Sequence, residues 1–201
     1  MATTTKRYVH LYTESVPNPN SLKFAVNFML MPEGLDLDFA SSAEAEGKSP
    51  LASTIFGHEG VERVFLMSNF ITITKQANLD WSDLIPSLKT LIKDYLEREE
   101  PILASLTVSQ LAEAAQQNQD TTADSEIVGQ IKKVLDEYVR PAVESDGGAI
   151  SFRSFEEGVV RVELRGSCSG CPSSTITLRD GIQRLLTNMV PGVVGVVAEG
   201  V

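Results

Sequence analysis

Cysteine is scarce in this sequence. Two residues, Cys168 and Cys171, are all that 201 positions contain, too few for the disulfide framework of a small secreted domain, and they stand in one C-x-x-C, a spacing that favours metal or redox chemistry over structural bridging. A reducing cytosol is the expected setting. Long apolar runs are missing as well: every hydrophobic stretch is broken by charges or turn residues, so none could cross the roughly 30 Å hydrocarbon core of a bilayer. Positive charge is short, with 17 Lys and Arg against 27 Asp and Glu and a net charge of -10. That balance repels a phosphate backbone, and no basic cluster interleaved with aromatics offsets it, which excludes nucleic acid as an expected partner. The sequence also lacks a Gly-rich phosphate loop, a plausible Ser-His-Asp set and a carboxylate pair with separable roles, so nothing supports an enzyme. Met1 to Arg7 carries two basic residues with no apolar core behind them, and no signal or transit peptide is read there.

What is present describes an ordinary globular chain, 42% hydrophobic and 22% charged, long enough for two small domains. Val9 and Leu11, then Leu22, Phe24, Val26 and Phe28, repeat at period two and predict two half-buried strands joined by a turn at Pro17-Asn18-Pro19-Asn20. Met31 to Ser49 has no stable period and reads as a surface loop. Ser49-Pro50-Leu51 is a helix start, with a capping hydroxyl followed by a proline suited to the first turn, and the helix should reach about Gly57. Strands around Val64 and Leu66 and around Ile71 and Ile73 follow. From Asp80, the spacing of Trp81, Leu84, Ile85, Leu88, Leu91, Ile92, Tyr95 and Leu96 predicts a helix that kinks or begins at Pro86.

Residues 101–125 turn polar, ending in Gln116-Gln117-Asn118-Gln119-Asp120-Thr121-Thr122, and predict an interdomain linker in which Val108 to Ala115 could form a short helix. The expected organisation is a domain over 1–100, this linker, and a second domain over 126–201. In the second, Ile127, Ile131, Val134, Leu135 and Tyr138 form a helical stripe that Pro141 should end, and Asp146-Gly147-Gly148 makes a turn. Ile150 and Phe152 then alternate with polar residues, Glu156-Glu157-Gly158 turns the chain, and Val160, Val162 and Leu164 continue the alternation. A further helix carries Ile176, Ile182, Leu185, Leu186 and Met189, and Val193 to Val197 can close the sheet. The fold class predicted is α/β of the α+β kind, with two small domains that each pack a short sheet against helices.

The cysteine segment, Arg165-Gly166-Ser167-Cys168-Ser169-Gly170-Cys171-Pro172-Ser173-Ser174, lies between a predicted strand and the start of a predicted helix. Two intervening residues let both sulfurs turn to one point, and Gly166 and Gly170 let the backbone curl close to an inorganic guest. The helix N-terminus beyond favours thiolate over thiol, and Pro172 stiffens the first turn. The spacing alone leaves metal binding, dithiol redox and no special role all open. Zinc and iron–sulfur sites use about four ligands, whereas one chain offers two cysteines, with His10 and His58 far away in the other half. A metal reading therefore requires a second chain, which a two-fold dimer supplies, and zinc and a 4Fe-4S cluster both satisfy that count. A thiol-disulfide oxidoreductase is the competing reading, although a helix and two hairpin strands before the motif are the wrong order for a thioredoxin fold. A zinc-stapled interaction dimer is the other.

Glu144-Ser145-Asp146-Gly147-Gly148, followed by Gly166-Ser167-Cys168-Ser169-Gly170-Cys171-Pro172-Ser173-Ser174 and by Thr177-Leu178 with Gly181-Ile182, resembles the C-terminal domain of NifU, over about Ile127 to Val197. Pro17-Asn18-Pro19-Asn20-Ser21-Leu22-Lys23-Phe24, Ser49-Pro50-Leu51-Ala52 and Phe70-Ile71-Thr72-Ile73-Thr74-Lys75 resemble the N-terminal domain of Nfu proteins. The resemblance to the NifU-like, or Nfu, iron–sulfur carriers implies that Cys168 and Cys171 each ligate iron. It further implies that a 4Fe-4S cluster bridges two subunits, that an upstream scaffold donates it, and that it passes to apo-proteins needing such clusters. Ala149 departs from relatives that place a polar residue after the paired glycines, and the targeting segment of mitochondrial members is not seen, which favours a bacterial cytoplasmic protein. Asp146 is read as turn chemistry, His10 and His58 as surface or packing residues, and Trp81 as part of the first domain's core.

Overall fold

The computed structural model describes residues 7–32, 34–105, 107, 126–168 and 172–200. They form two compact units of mixed helix and sheet, one drawn from Met1–Glu14 with Asn20–Gln116 and the other from Ser15–Pro19 with Gln117–Val201. The predicted linker helix at Val108 to Ala115 lies outside the described residues.

The first unit is built on a five-stranded sheet in the order β1-β2-β5-β4-β3, comprising β1 (Leu11–Ser15), β2 (Ser21–Val26), β3 (Asp36–Phe39), β4 (Val61–Met67) and β5 (Phe70–Lys75). Strands β2, β5, β4 and β3 pair antiparallel, with Phe24 opposite Ile71 and Val64 opposite Ile73. Period-two alternation turns Phe24, Val64, Leu66, Ile71 and Ile73 to one face, where they meet Leu84, Leu88, Ile92, Tyr95 and Leu96 in a common core. Those last five come from α3 (Trp81–Glu97), which follows α1 (Ser42–Ala45) and α2 (Pro50–Phe56). Ser49 caps α2 by accepting from the Ala52 amide at 3.1 Å, as its sequence position predicts. Trp81 packs at the edge of this core. The α3 helix begins at its Asp80 cap and passes Pro86 without ending. The amide that proline lacks would have bonded the carbonyl of residue 82, still in the first turn.

Two elements, β3 and α1, occupy the stretch expected to be a loop. Leu35, Leu37 and Phe39 do alternate there, but acidic residues fill the intervening positions. The strand tolerates Asp38, whose side chain is 4% exposed, because Arg63 on β4 donates Nε to its Oδ1 at 2.6 Å and Nη2 to Oδ2 at 3.1 Å. After α3 the chain stays with this unit: Tyr95 Oη donates to Pro101 O at 2.7 Å, Ser49 Oγ to Ile102 O at 2.7 Å, and Leu103 joins the core.

The second unit places a three-stranded sheet, β6 (Gly148–Glu156), β7 (Val159–Gly166) and β8 (Gly195–Gly200), beneath α4 (Glu126–Val134), α5 (Arg140–Ser145) and α6 (Pro172–Met189). The β6–β7 hairpin closes through Glu157 (φ +50°) and Gly158 (φ +80°). Two successive left-handed residues are the turn that matches strand twist. Strand β8 then runs parallel to β7, with Val160 opposite Val196 and Val162 opposite Ala198. Ile150, Val160, Val162 and Leu164 from the sheet pack against Ile131, Val134, Val139, Val143, Ile182 and Leu186 from the helices. On the opposite face, Glu163 is nearly covered by Arg153 and Arg165, with Arg165 Nε 3.3 Å from its Oε1.

Pro141 does not end the first helical stripe. Between α4 and α5 the chain makes one π-helical turn, Leu135–Val139, in which the Arg140 amide reaches back five residues to Leu135 O. The wider ring resets the hydrogen-bond ladder, so Pro141 falls in the first turn of a new α segment, where a missing amide costs least. Leu135, Val139 and Val143 thereby stay on the core side.

Candidate functional site

Cys168 sits two residues beyond the end of β7. Its neighbour Gly166 has φ +69°, a left-handed turn that an L side chain rarely adopts and that swings the chain off the strand toward the start of α6. Ser169, Gly170 and Cys171 lie outside the described residues. The Asp146-Gly147-Gly148 turn, predicted as such, ends α5 with Asp146 as its C-cap, puts Gly147 at φ +77° and opens β6.

That turn is also the floor under Cys168. Gly148 pairs with Gly166 across the hairpin, and a Cβ at Gly148 would come within 2.9 Å of Cys168 Sγ. The missing side chain is therefore the space the sulfur uses. Ser167 joins the two turns: its amide donates to Gly147 O at 3.3 Å and its hydroxyl to Asp146 O, while Oγ lies 3.8 Å from Cys168 Sγ. A cavity of about 630 Å³ opens beside Cys168, walled by Tyr138 and Val139 from the π turn, Ala142, Leu178, Ile182 and Leu185.

The helix-terminus argument anticipates a readily ionised sulfur, and Cys168 behaves otherwise. It is 5% exposed, and burial pushes its thiol up to about 11. The hydrogen bond with Ser167 pulls the other way, and the charge of Asp146 adds a smaller upward push. Desolvation outweighs favourable dipoles here because the sulfur is packed among apolar groups. A thiol is neutral when protonated, so a raised folded value stabilises the fold below its ordinary value of 9.0 and loses that stabilisation as pH climbs to about 11. The whole swing is at most about 3 kcal/mol. In urea unfolding of protein prepared without metal, wild type should lose stability relative to Cys168→Ala between pH 9 and 11 and run parallel to it below pH 8.

Among the described residues, no group of three or more His, Cys, Asp or Glu side chains is placed to hold a metal. His10 and His58 lie in the first unit. His58 is engaged locally, with Nε2 2.7 Å from Ser87 Oγ and Nδ1 2.9 Å from Glu59 O. The contacts of Ser167 and Gly148 with Cys168 were not read from sequence, although both residues sit in the motifs singled out there.

Comparison with known proteins decides the family. Residues 131–197 match the NifU-like domain, and residues 11–99 match the scaffold protein Nfu/NifU N terminal domain. The chain is a NifU-like (Nfu) protein. It is 41% identical over 191 residues to the human protein named NFU1 iron-sulfur cluster scaffold homolog, mitochondrial, covering 94% of this chain and 72% of that one. The Drosophila persimilis protein of the same name is also 41% identical, and the chain spans 64% of its length. A solution structure of a NifU-like protein from Saccharomyces cerevisiae aligns with 52% of this chain and 92% of its own at 27% identity, with a TM-score of 0.44. The expectation of a cytoplasmic protein is corrected by these relatives, which are named as mitochondrial. The small number of cysteines pointed to a reducing compartment, and the cytosol is not unique in that. No helix among the described residues is long and apolar enough to cross a membrane.

Proposed function

We propose that this Nfu protein is a carrier, not a catalyst, that holds a 4Fe-4S cluster as cargo between two copies of the chain and passes it to apo-proteins. Cys168 and Cys171 of each copy supply the thiolates. The observation that carries the reading is the setting of Cys168: a soft sulfur donor over a glycine floor, beside a hydroxyl and lining a cavity of about 630 Å³, in a chain with two cysteines in all. Two thiolates per chain satisfy four iron sites only when a second chain brings the same pair. In this reading residues 1–100 form a recognition domain, the polar tract within 101–125 links it to residues 126–201, and the partners are an upstream scaffold and the acceptors.

Transfer follows from ligand exchange. A thiolate of the acceptor bonds an iron as the Cys168 thiolate leaves it, and the released sulfur takes up a proton and returns to its buried position. The raised proton affinity of that sulfur favours return over rebinding, so the chain that gives up the cluster is helped to let go.

Anaerobic reconstitution with ferrous iron and sulfide tests the proposal. One cluster per two chains, with the Mössbauer signature of a 4Fe-4S centre and a dimer on sizing, is the expected result, followed by movement of the cluster to an added apo-acceptor. A colourless monomer that cycles a disulfide would overturn the carrier reading in favour of an oxidoreductase. A dimer held by zinc alone would overturn it in favour of a stapled interaction module.

A further inference from the structure

Cys168 is 5% exposed although it lines the cavity beside it, so in this position its sulfur offers little surface to an iron shared with a second subunit. Lifting Cys168 away from the Asp146–Gly148 turn beneath it would bring more of the sulfur out. Gly148 lies close under Cys168, with no room for a Cβ between them. Ser167, itself 2% exposed, ties the two turns together. Its hydroxyl donates to Asp146 O, its amide donates to Gly147 O at 3.3 Å, and its Oγ is 3.8 Å from Cys168 Sγ.

We propose that Ser167 is a positioning residue for Cys168, a clasp whose hydroxyl holds the cysteine turn closed over the Asp146–Gly148 turn and whose release delivers the sulfur to iron. The hydroxyl has one proton and two candidate acceptors. In the closed arrangement the proton goes to the Asp146 carbonyl. Once Cys168 is a metal-bound thiolate, rotation about the Ser167 side chain lets the same proton point to sulfur, where such a hydrogen bond steadies an iron thiolate. One hydroxyl thus serves the closed turn and the ligated sulfur alternately. The inference rests on Cys168 being an iron ligand only for its second half; the closed clasp stands on the geometry alone.

The test uses the full chain in a Cys171→Ser background, where Cys168 is the remaining thiol, prepared without metal. Alkylation by iodoacetamide is followed at fixed pH with Ser167, Ser167→Ala and Ser167→Thr, alongside the thermal midpoint and amide exchange of Ser167 and of central β7 residues. A hydrogen bond of this kind is worth about 1 kcal/mol, so Ser167→Ala should alkylate about fivefold faster, with faster exchange at residue 167 and unchanged exchange in β7. Ser167→Thr, which keeps the hydroxyl, should return the slow rate. The exchange readout discriminates between causes. Release of the turn speeds amide exchange at residue 167 together with alkylation, whereas a change in the thiol's ionisation alone would alter alkylation and leave that exchange unchanged. A rate in Ser167→Ala equal to or slower than wild type overturns the clasp. So does an acceleration matched by equally faster exchange throughout β7, which would be general unfolding. Failure of wild type to load iron would count against the carrier proposal while leaving the alkylation contrast intact.

Discussion

Cys168→Ser and Cys171→Ser are each expected to leave a folded protein that retains no isolable cluster after anaerobic reconstitution and desalting. Serine is nearly isosteric with cysteine, but its oxygen is a hard donor that ionises far less readily than a thiol, so it replaces a soft thiolate on iron poorly. In a two-fold site a single substitution changes two ligands of four, because both chains carry it. The loss should exceed about a hundredfold in retained iron and sulfide, the range in which even outer-shell changes at metal sites already cost affinity. Iron and sulfide assays with the visible charge-transfer absorbance measure it. Full loading in either variant would mean the ligands lie elsewhere. The fold should persist, since Cys168 is one small member of a core otherwise carried by apolar residues from Ile131 to Val196, and serine nearly matches its volume.

Gly148→Ala should damage both stability and loading without removing any functional group. A methyl there would stand 2.6 Å from Arg165 O and 2.9 Å from Cys168 Sγ. The sulfur can be pushed aside, but the carbonyl belongs to the β7 backbone at the open end of the hairpin ladder and cannot yield without disturbing the pairing of Gly148 with Gly166. Overpacking of this kind costs about 1–3 kcal/mol. Chemical denaturation should show a loss toward the top of that range, and Cys168 should become more reactive as its floor is filled. Gly129→Ala is the matched control. Gly129 lies in α4 with nothing within 4 Å of an added Cβ, so the substitution should stabilise the chain by about 1 kcal/mol through helix propensity alone. If both variants lose equal stability, close approach at Gly148 is not the cause.

The contrast between these two glycines shows where sequence reading stops. Local signals were legible: the Ser49 cap, the apolar stripe of α3 and the alternation of β6 and β7 each depend on residues a few positions apart, and each element formed where its pattern placed it. Strand β3 escaped because Asp36 and Asp38 look solvent-bound until Arg63, 25 residues away, is known to face Asp38. Pro141 misled because a π turn is a device of tertiary packing, set by the need to keep Val139 and Val143 on the core, and no local propensity encodes it. At the site, the C-x-x-C and its glycines named the ligand candidates. That Cys168 would be covered, clasped by Ser167 and made harder to ionise depended on Gly148 arriving from 20 residues upstream.

The parallel pairing of β8 with β7 carries a consequence for the order in which this unit assembles. The β6–β7 hairpin needs only a two-residue turn and can close early. Strand β8 cannot join until the chain has left β7 through the cysteine turn, run the length of α6 and come back, with Gln183 Oε1 receiving the Val196 amide at 3.3 Å. That long return makes β8 docking the slow, non-local event. Until it occurs, α6, whose Leu178, Ile182 and Leu185 wall the cavity beside Cys168, is anchored at its N-terminal end alone. The Cys168 thiol of a nascent or heat-shocked chain is therefore most open to oxidation and stray metals before α6 settles, and the docking of the last strand, through Gln183, fixes that wall in place.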